Sequence, residues 1–124
     1  MKNLSLIIAL LGSFLFATQS EAQLAKNDFS SQIEAQTETF KVYGNCGMCK
    51  RRIEGTLKEV EGILSADWDV DTKMITVKFT KDLISLDDIQ KRIADVGHDT
   101  NKYRADDEVY GKLPGCCKYE RAEK

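Results

Sequence analysis

The sequence is short of the features that mark several large classes of protein. Neither sign of charge dominates: 18 Lys and Arg stand against 20 Asp and Glu, for a formal net charge of −2. A general nucleic-acid binder needs a basic surface, so that class is set aside. The main apolar run, Leu4 to Phe16, falls short of the roughly 20 residues that span a bilayer comfortably. There is one proline, Pro114, and one histidine, His98. Against this sparseness stand four cysteines, Cys46, Cys49, Cys116 and Cys117.

The start of the chain reads as a targeting segment. Met1-Lys2-Asn3 is a short positive start, Leu4 to Phe16 is apolar, and Ser20-Glu21-Ala22 offers small residues for cleavage. That is the pattern of a secretory signal. Residues 1–22 are therefore expected to be a signal peptide, and the mature chain to be secreted or periplasmic without stable membrane insertion. Residues 23–38 are rich in Gln, Ser, Thr and Glu and are expected to form a flexible spacer. Outside the cytoplasm, free thiols oxidise unless a metal or a reductant holds them.

A folded domain is expected over residues 39–104, with a cysteine-containing tail over 105–124. Thr39 to Tyr43 alternates in strand period, with Phe40 and Val42 inward. Cys49 to Val60 reads as a helix with Ile53, Leu57 and Val60 on one face, ended by Gly62. Leu64, Ala66, Trp68 and Val70 alternate with polar residues. After a turn at Asp71-Thr72-Lys73, Ile75, Val77 and Phe79 do the same. Ser85 opens a second helix that carries Leu86, Ile89, Ile93 and Val96 inward and stops at Gly97. A weak last strand is expected from Asp99 to Tyr103. This order predicts an α+β, ferredoxin-like βαββαβ sandwich. Its four-stranded antiparallel sheet would carry both helices on one face.

Cys46-Gly47-Met48-Cys49 lies where a strand gives way to a helix. Two thiolates at this spacing can close on one ion from a short loop. Cys49 sits near the helix N-terminus, where the dipole favours a negative sulfur. Lys50, Arg51 and Arg52 are expected to lower the thiol pKa further, and Gly44 and Gly47 to permit the tight backbone path. Soft thiolates select Cu(I), Zn(II) or other soft ions such as Hg(II).

The stretch Tyr43-Gly44-Asn45-Cys46-Gly47-Met48-Cys49-Lys50-Arg51-Arg52-Ile53-Glu54 resembles the metal loop of the heavy-metal-associated domain family. That family includes copper chaperones, amino-terminal modules of metal-transporting ATPases and a periplasmic mercuric-ion carrier. Cys46, Cys49, Ile53 and Glu54 match its pattern. The Gly-Met pair that usually precedes the first Cys is replaced by Tyr43-Gly44, and Met48 lies between the cysteines instead. The resemblance implies a binding protein rather than an enzyme. Cys46 and Cys49 would be its ligands, Cu(I) the leading cargo, and a metal-transport or metal-accepting protein its partner.

Other readings stay open at this point. The same CxxC suits an envelope thiol–disulfide oxidoreductase, although such proteins resemble one another in a cis-Pro facing the sulfurs, and Pro114 lies in the tail. A structural disulfide or structural zinc site is a further alternative. His98 opens the last strand beside the metal loop, as a third ligand, a donor to a ligand, or a surface ring. Cys116 and Cys117 form a vicinal pair within reach of the loop. The tail is expected to fold back toward His98 and the loop, held by Val109 and Leu113, so that at least one of the two shares a metal with Cys46 or Cys49 or pairs with it; an ordinary disulfide or two free thiols are the alternatives. An RNA-binding module would need aromatic platforms on the open sheet face. Thr39, Lys41, Thr76 and Lys78 provide none.

Overall fold

The computed structural model describes residues 34–123. The expected signal peptide, and the spacer up to residue 33, lie outside the described residues. Three strands, β1 (Ala35–Lys41), β2 (Ile63–Trp68) and β3 (Met74–Thr80), pair antiparallel in the order β1-β3-β2. Three helices, α1 (Gly47–Leu57), α2 (Leu86–Asp95) and α3 (Asp107–Gly111), join a 3-10 turn at Gly115–Cys117. The strand β1 begins earlier than Thr39 and takes in the end of the stretch expected as spacer.

One sheet face is apolar and one is wet. Ile75, Val77 and Phe79 of β3 are buried, while Thr76 and Lys78 are exposed. Ile53 and Leu57 of α1 and Ile89 and Ile93 of α2 pack into the same core as Phe40, Val42 and Trp68. Both helices therefore cover the same sheet face. Each such side chain contributes about 1.5–3 kcal/mol by leaving water. Ser85 caps α2 by accepting the Asp88 N–H at 3.1 Å. Gly97 ends that segment at φ +104°, with Leu113 of the tail packed against it.

Three expectations need correction. The helix α1 ends at Leu57 rather than Val60: Lys58 turns extended and Glu59, at φ 63°, takes the left-handed position expected of Gly62. Gly62 is also left-handed, at φ +94°, but in the turn into β2. Leu64 points to solvent, 59% exposed, because β2 carries a bulge between Ile63 and Ser65. Ile63, opposite Phe79, takes the inward place instead. The fourth strand is reduced to a single bridge, Val42 with Thr100. The Thr100 hydroxyl oxygen accepts the N–H groups of Lys102 (3.2 Å) and Tyr103 (2.9 Å), and the Thr100 N–H donates to the Tyr103 carbonyl at 2.7 Å. This local turn competes with the ladder and sends the chain away from the sheet edge.

The tail returns to the metal loop, as expected. The tail is a built part of the fold: Leu113, Cys117 and Tyr119 belong to the main core. The Tyr119 hydroxyl donates to the Gly97 carbonyl at 2.6 Å and accepts the Asp99 N–H at 2.8 Å. Arg121 grips the Asp99 carboxylate with two bonds, Nε to Oδ2 at 3.0 Å and Nη2 to Oδ1 at 2.8 Å. Tyr110 meets Tyr119 edge-on, and its hydroxyl donates to the Tyr119 carbonyl at 2.6 Å. These contacts hold the 3-10 turn against α1.

Candidate metal centre

The loop between β1 and α1 is tied down on both sides. The Val42 N–H donates to Lys73 O at 2.9 Å, the Tyr43 N–H to Asp99 O at 2.8 Å, and the Trp68 indole N–H to Val42 O at 3.0 Å. Glu54 accepts the Trp68 backbone N–H at 3.0 Å and pairs with Lys50 at 2.7 Å, which gives the Ile53-Glu54 match a physical role. At Gly44 a Cβ would stand 2.9 Å from Trp68 Cη2 and 3.1 Å from Cys49 Cβ. That close approach demands glycine. Gly47 makes no such demand: it opens α1 with free space where a Cβ would go, contrary to the role expected of it.

Cys46 is the residue before α1, in extended conformation, and is half-buried. Cys49 lies one turn on and is fully buried. Their sulfurs are 3.8 Å apart. The Asn45 N–H donates to Cys49 Sγ at 3.3 Å. The Cys49 N–H, and behind it the Met48 N–H, face the Cys46 sulfur and lower its pKa to about 7, against the opposing effect of burial. The cations following the pair act otherwise than expected. Lys50 turns away to Glu54, to Asp67 at 2.6 Å and to the Trp68 carbonyl at 2.7 Å. Arg52 reaches a different thiol, Cys117, at 3.4 Å.

The tail brings its own sulfurs to this place. The Sγ atoms of Cys46, Cys116 and Cys117 all lie within 4.8 Å of one another. The Cys46 thiol donates to the Cys116 carbonyl at 3.5 Å. Cys116 is exposed, 3.4 Å from the Met48 thioether and 4.0 Å from Cys117. Cys117 is fully buried; burial first, then the facing Cys49 thiol, pushes its pKa up to about 12. All four cysteines are free thiols.

His98 is fully buried and lies outside this group of sulfurs. Its Nδ1 bonds the Tyr43 carbonyl at 2.8 Å, and Nε2 has no partner among the described residues. The ring is stacked on Tyr119, with centroids 5.4 Å apart. Burial lowers its pKa, more than the Tyr43 bond raises it. His98 thus ties the metal loop to the tail and is not a surface ring.

Sequence reasoning brought out all four thiols but missed the residues that assemble them: Arg52 as a partner of Cys117, and Tyr119, Asp99 and Arg121 as the anchor of the tail. A signal was present in Tyr110 and Tyr119. Two aromatic residues flanking a vicinal cysteine pair mark a segment with something to bury.

The arrangement is a thiol-rich pocket at a helix N-terminus, on an α+β sandwich. The heavy-metal-associated domain family matches residues 39–99. The copper chaperone CopZ of Staphylococcus saprophyticus is 33% identical over 64 residues, covering 51% of this chain and 94% of the relative. Among solved structures, a CopZ metallochaperone superposes with a TM-score of 0.51 at 27% identity, over 52% of this chain and 98% of its own. Oxidized MerP from Ralstonia metallidurans CH34 gives 0.52 at 28% identity, over 55% of this chain and 96% of its own. The chain belongs to the heavy-metal-associated domain family, a class of metal-binding modules and not of enzymes. The family match ends at residue 99, so the tail that carries Cys116 and Cys117 lies beyond it.

Proposed function

We propose that this chain is an extracytoplasmic carrier of Cu(I), which it binds through Cys46 and Cys49 and passes to a metal-accepting or metal-transport protein. The observation that carries this is the pair of thiols 3.8 Å apart at the start of α1, one half-buried and one buried. The loop holds them together before any ion arrives, so little ordering remains to be done on binding. Their chemistry fits the cargo. Thiolates are soft ligands and favour Cu(I), with Zn(II) and Hg(II) as competitors. The copper chaperone among the relatives points the same way. Export rests on the leader pattern of residues 1–22.

Anaerobic titration of the reduced protein with Cu(I), against a chromophoric copper chelator, tests the binding. The expected result is one tight site that is lost in the C46S/C49S variant; retention of the full affinity would defeat the assignment. Parallel titrations with Zn(II) and Hg(II) decide the cargo. Amino-terminal sequencing of protein from the native compartment tests export, with Gln23 as the expected first residue.

A further inference from the structure

We propose that Cys117 supplies a third thiolate to the metal site formed with Cys46 and Cys49, and that Arg52 balances the charge it brings. The proposal rests on the reading of Cys46 and Cys49 as the primary ligands and adds a ligand from outside the matched family region. Spacing is the first argument. With metal–sulfur bonds of about 2.3 Å, two sulfurs on opposite sides of an ion lie about 4.6 Å apart, and sulfurs in a trigonal plane about 4.0 Å. The Cys46–Cys49 separation of 3.8 Å matches the trigonal case. Cys117 lies within 4.8 Å of Cys46 and faces Cys49. Bringing Cys117 to the trigonal distance from Cys46 takes a shift of about 1 Å or less.

Placement is the second argument. Cys117 has no exposed surface, yet its sulfur accepts an Arg52 N–H at 3.4 Å. A thiol kept only for packing has no need of a guanidinium. A third thiolate on a monovalent ion leaves a complex of net charge −2, and a cation against the added sulfur is what such a complex requires. Cys116 differs: it is exposed and leans on Met48 at the outer edge. The third argument is that the tail is anchored on residues 97–99 rather than on the sulfurs themselves, so it presents Cys117 independently of metal.

A carrier with two thiolates leaves room for an incoming thiol. Here the chain would fill that room itself. Loading breaks the Cys117 S–H bond, releases the proton to solvent and forms the metal–sulfur bond. Transfer reverses this: the acceptor's thiolate bonds the ion, the metal–Cys117 bond breaks, and Cys117 takes up the proton that the acceptor's thiol gives up. The metal keeps its oxidation state throughout. The tail would then hold the cargo against adventitious loss and yield only to a competing thiolate.

The test is X-ray absorption and competitive titration on the mature chain, reduced and loaded with Cu(I) alone. Three sulfurs are expected in the parent and in C116S, and two in C117S and C117A. The affinity in the Cys117 variants should fall by roughly tenfold or more. Circular dichroism shows whether each variant is folded. R121A keeps every cysteine and loosens the tail, and should lower the mean sulfur number below three. Two sulfurs in the parent would overturn the proposal while leaving the Cys46–Cys49 reading intact. Three sulfurs that survive in C117S but fall in C116S would overturn the choice of Cys117. Failure of the parent to bind Cu(I) would overturn both readings.

Discussion

The ring of Tyr119 lies along the ring of His98, with 5.4 Å between centroids and 23° between planes. Through this stack the last residues of the chain touch the segment that closes the metal loop. The Tyr119 hydroxyl bridges the backbone on either side of His98, donating to Gly97 and accepting from Asp99. Both partners are buried, so removing the hydroxyl alone leaves a carbonyl and an N–H unpaired. Tyr119→Phe is expected to cost about 1–3 kcal/mol of unfolding free energy in a urea titration. The heavier Tyr119→Ala should cost about 3–5 kcal/mol. A shift within error for Tyr119→Phe would mean that the tail is not held in this way.

The tail should also be released by acid. Burial alone would raise the Asp99 pKa, but the Arg121 guanidinium and the Ala105 N–H at 2.7 Å outweigh it and hold the carboxyl below the usual range. A carboxylate with a lowered folded pKa contributes stability above its unfolded value of about 3.9. That contribution is lost as pH falls through the folded value. The backbone amide of Tyr119, followed by NMR, should keep its folded chemical shift at pH 5. It should move toward the free-chain value only as pH falls below about 4. In Asp99→Asn the acid-dependent step should be missing.

Some of this was legible along the chain and some was not, and the division follows the range of the forces involved. Ile75, Val77 and Phe79 could be read as one face because strand parity is local. Ile53 and Leu57, and Ile89 and Ile93, could be read because helical spacing is local. The Cys46–Cys49 loop was readable for the same reason. Leu64 was misplaced because the bulge is decided by pairing with β3. Parity within β2 carries no record of that pairing. The expected strand at Asp99 to Tyr103 failed because Thr100 found closer partners in Lys102 and Tyr103 than in β1. The return of the tail could be read from its reach and from Leu113, but its anchors could not. Its docking joins Tyr119 to Gly97 and Asp99, and Arg121 to Asp99, about twenty residues away along the chain.

The thiols should separate by reactivity. Amide donors hold Cys46 at about 7, whereas burial and the Cys49 thiol push Cys117 up to about 12. The thiolate is the reacting form, so the alkylation rate follows its population. Iodoacetamide labelling of the reduced, metal-free protein, read by peptide mass spectrometry, should show Cys46 modified with a midpoint near pH 7. Cys117 should stay unmodified across pH 6 to 9 while the protein remains folded. Early labelling of Cys117 would show that the tail opens readily.

Two glycines in the same loop make the sharpest contrast. A methyl group at Gly44 would meet Trp68 at 2.9 Å and Cys49 at 3.1 Å, and both neighbours are fully buried. Neither can swing into solvent, so the loop itself must shift. Gly44→Ala is expected to destabilise by about 1–3 kcal/mol, as overpacking does. It should also change the Trp68 fluorescence and weaken Cu(I) binding, because the displaced contact is the Cβ that positions the Cys49 sulfur. At Gly47 a methyl group meets nothing within 4 Å, and the residue is already helical. Gly47→Ala removes unfolded-chain freedom at no steric cost and should stabilise by about 0.4–1 kcal/mol. Its Trp68 emission and Cu(I) affinity should match those of the parent. Equal effects from the two substitutions would show that the loop is not held by the approach of Gly44 to Trp68 and Cys49.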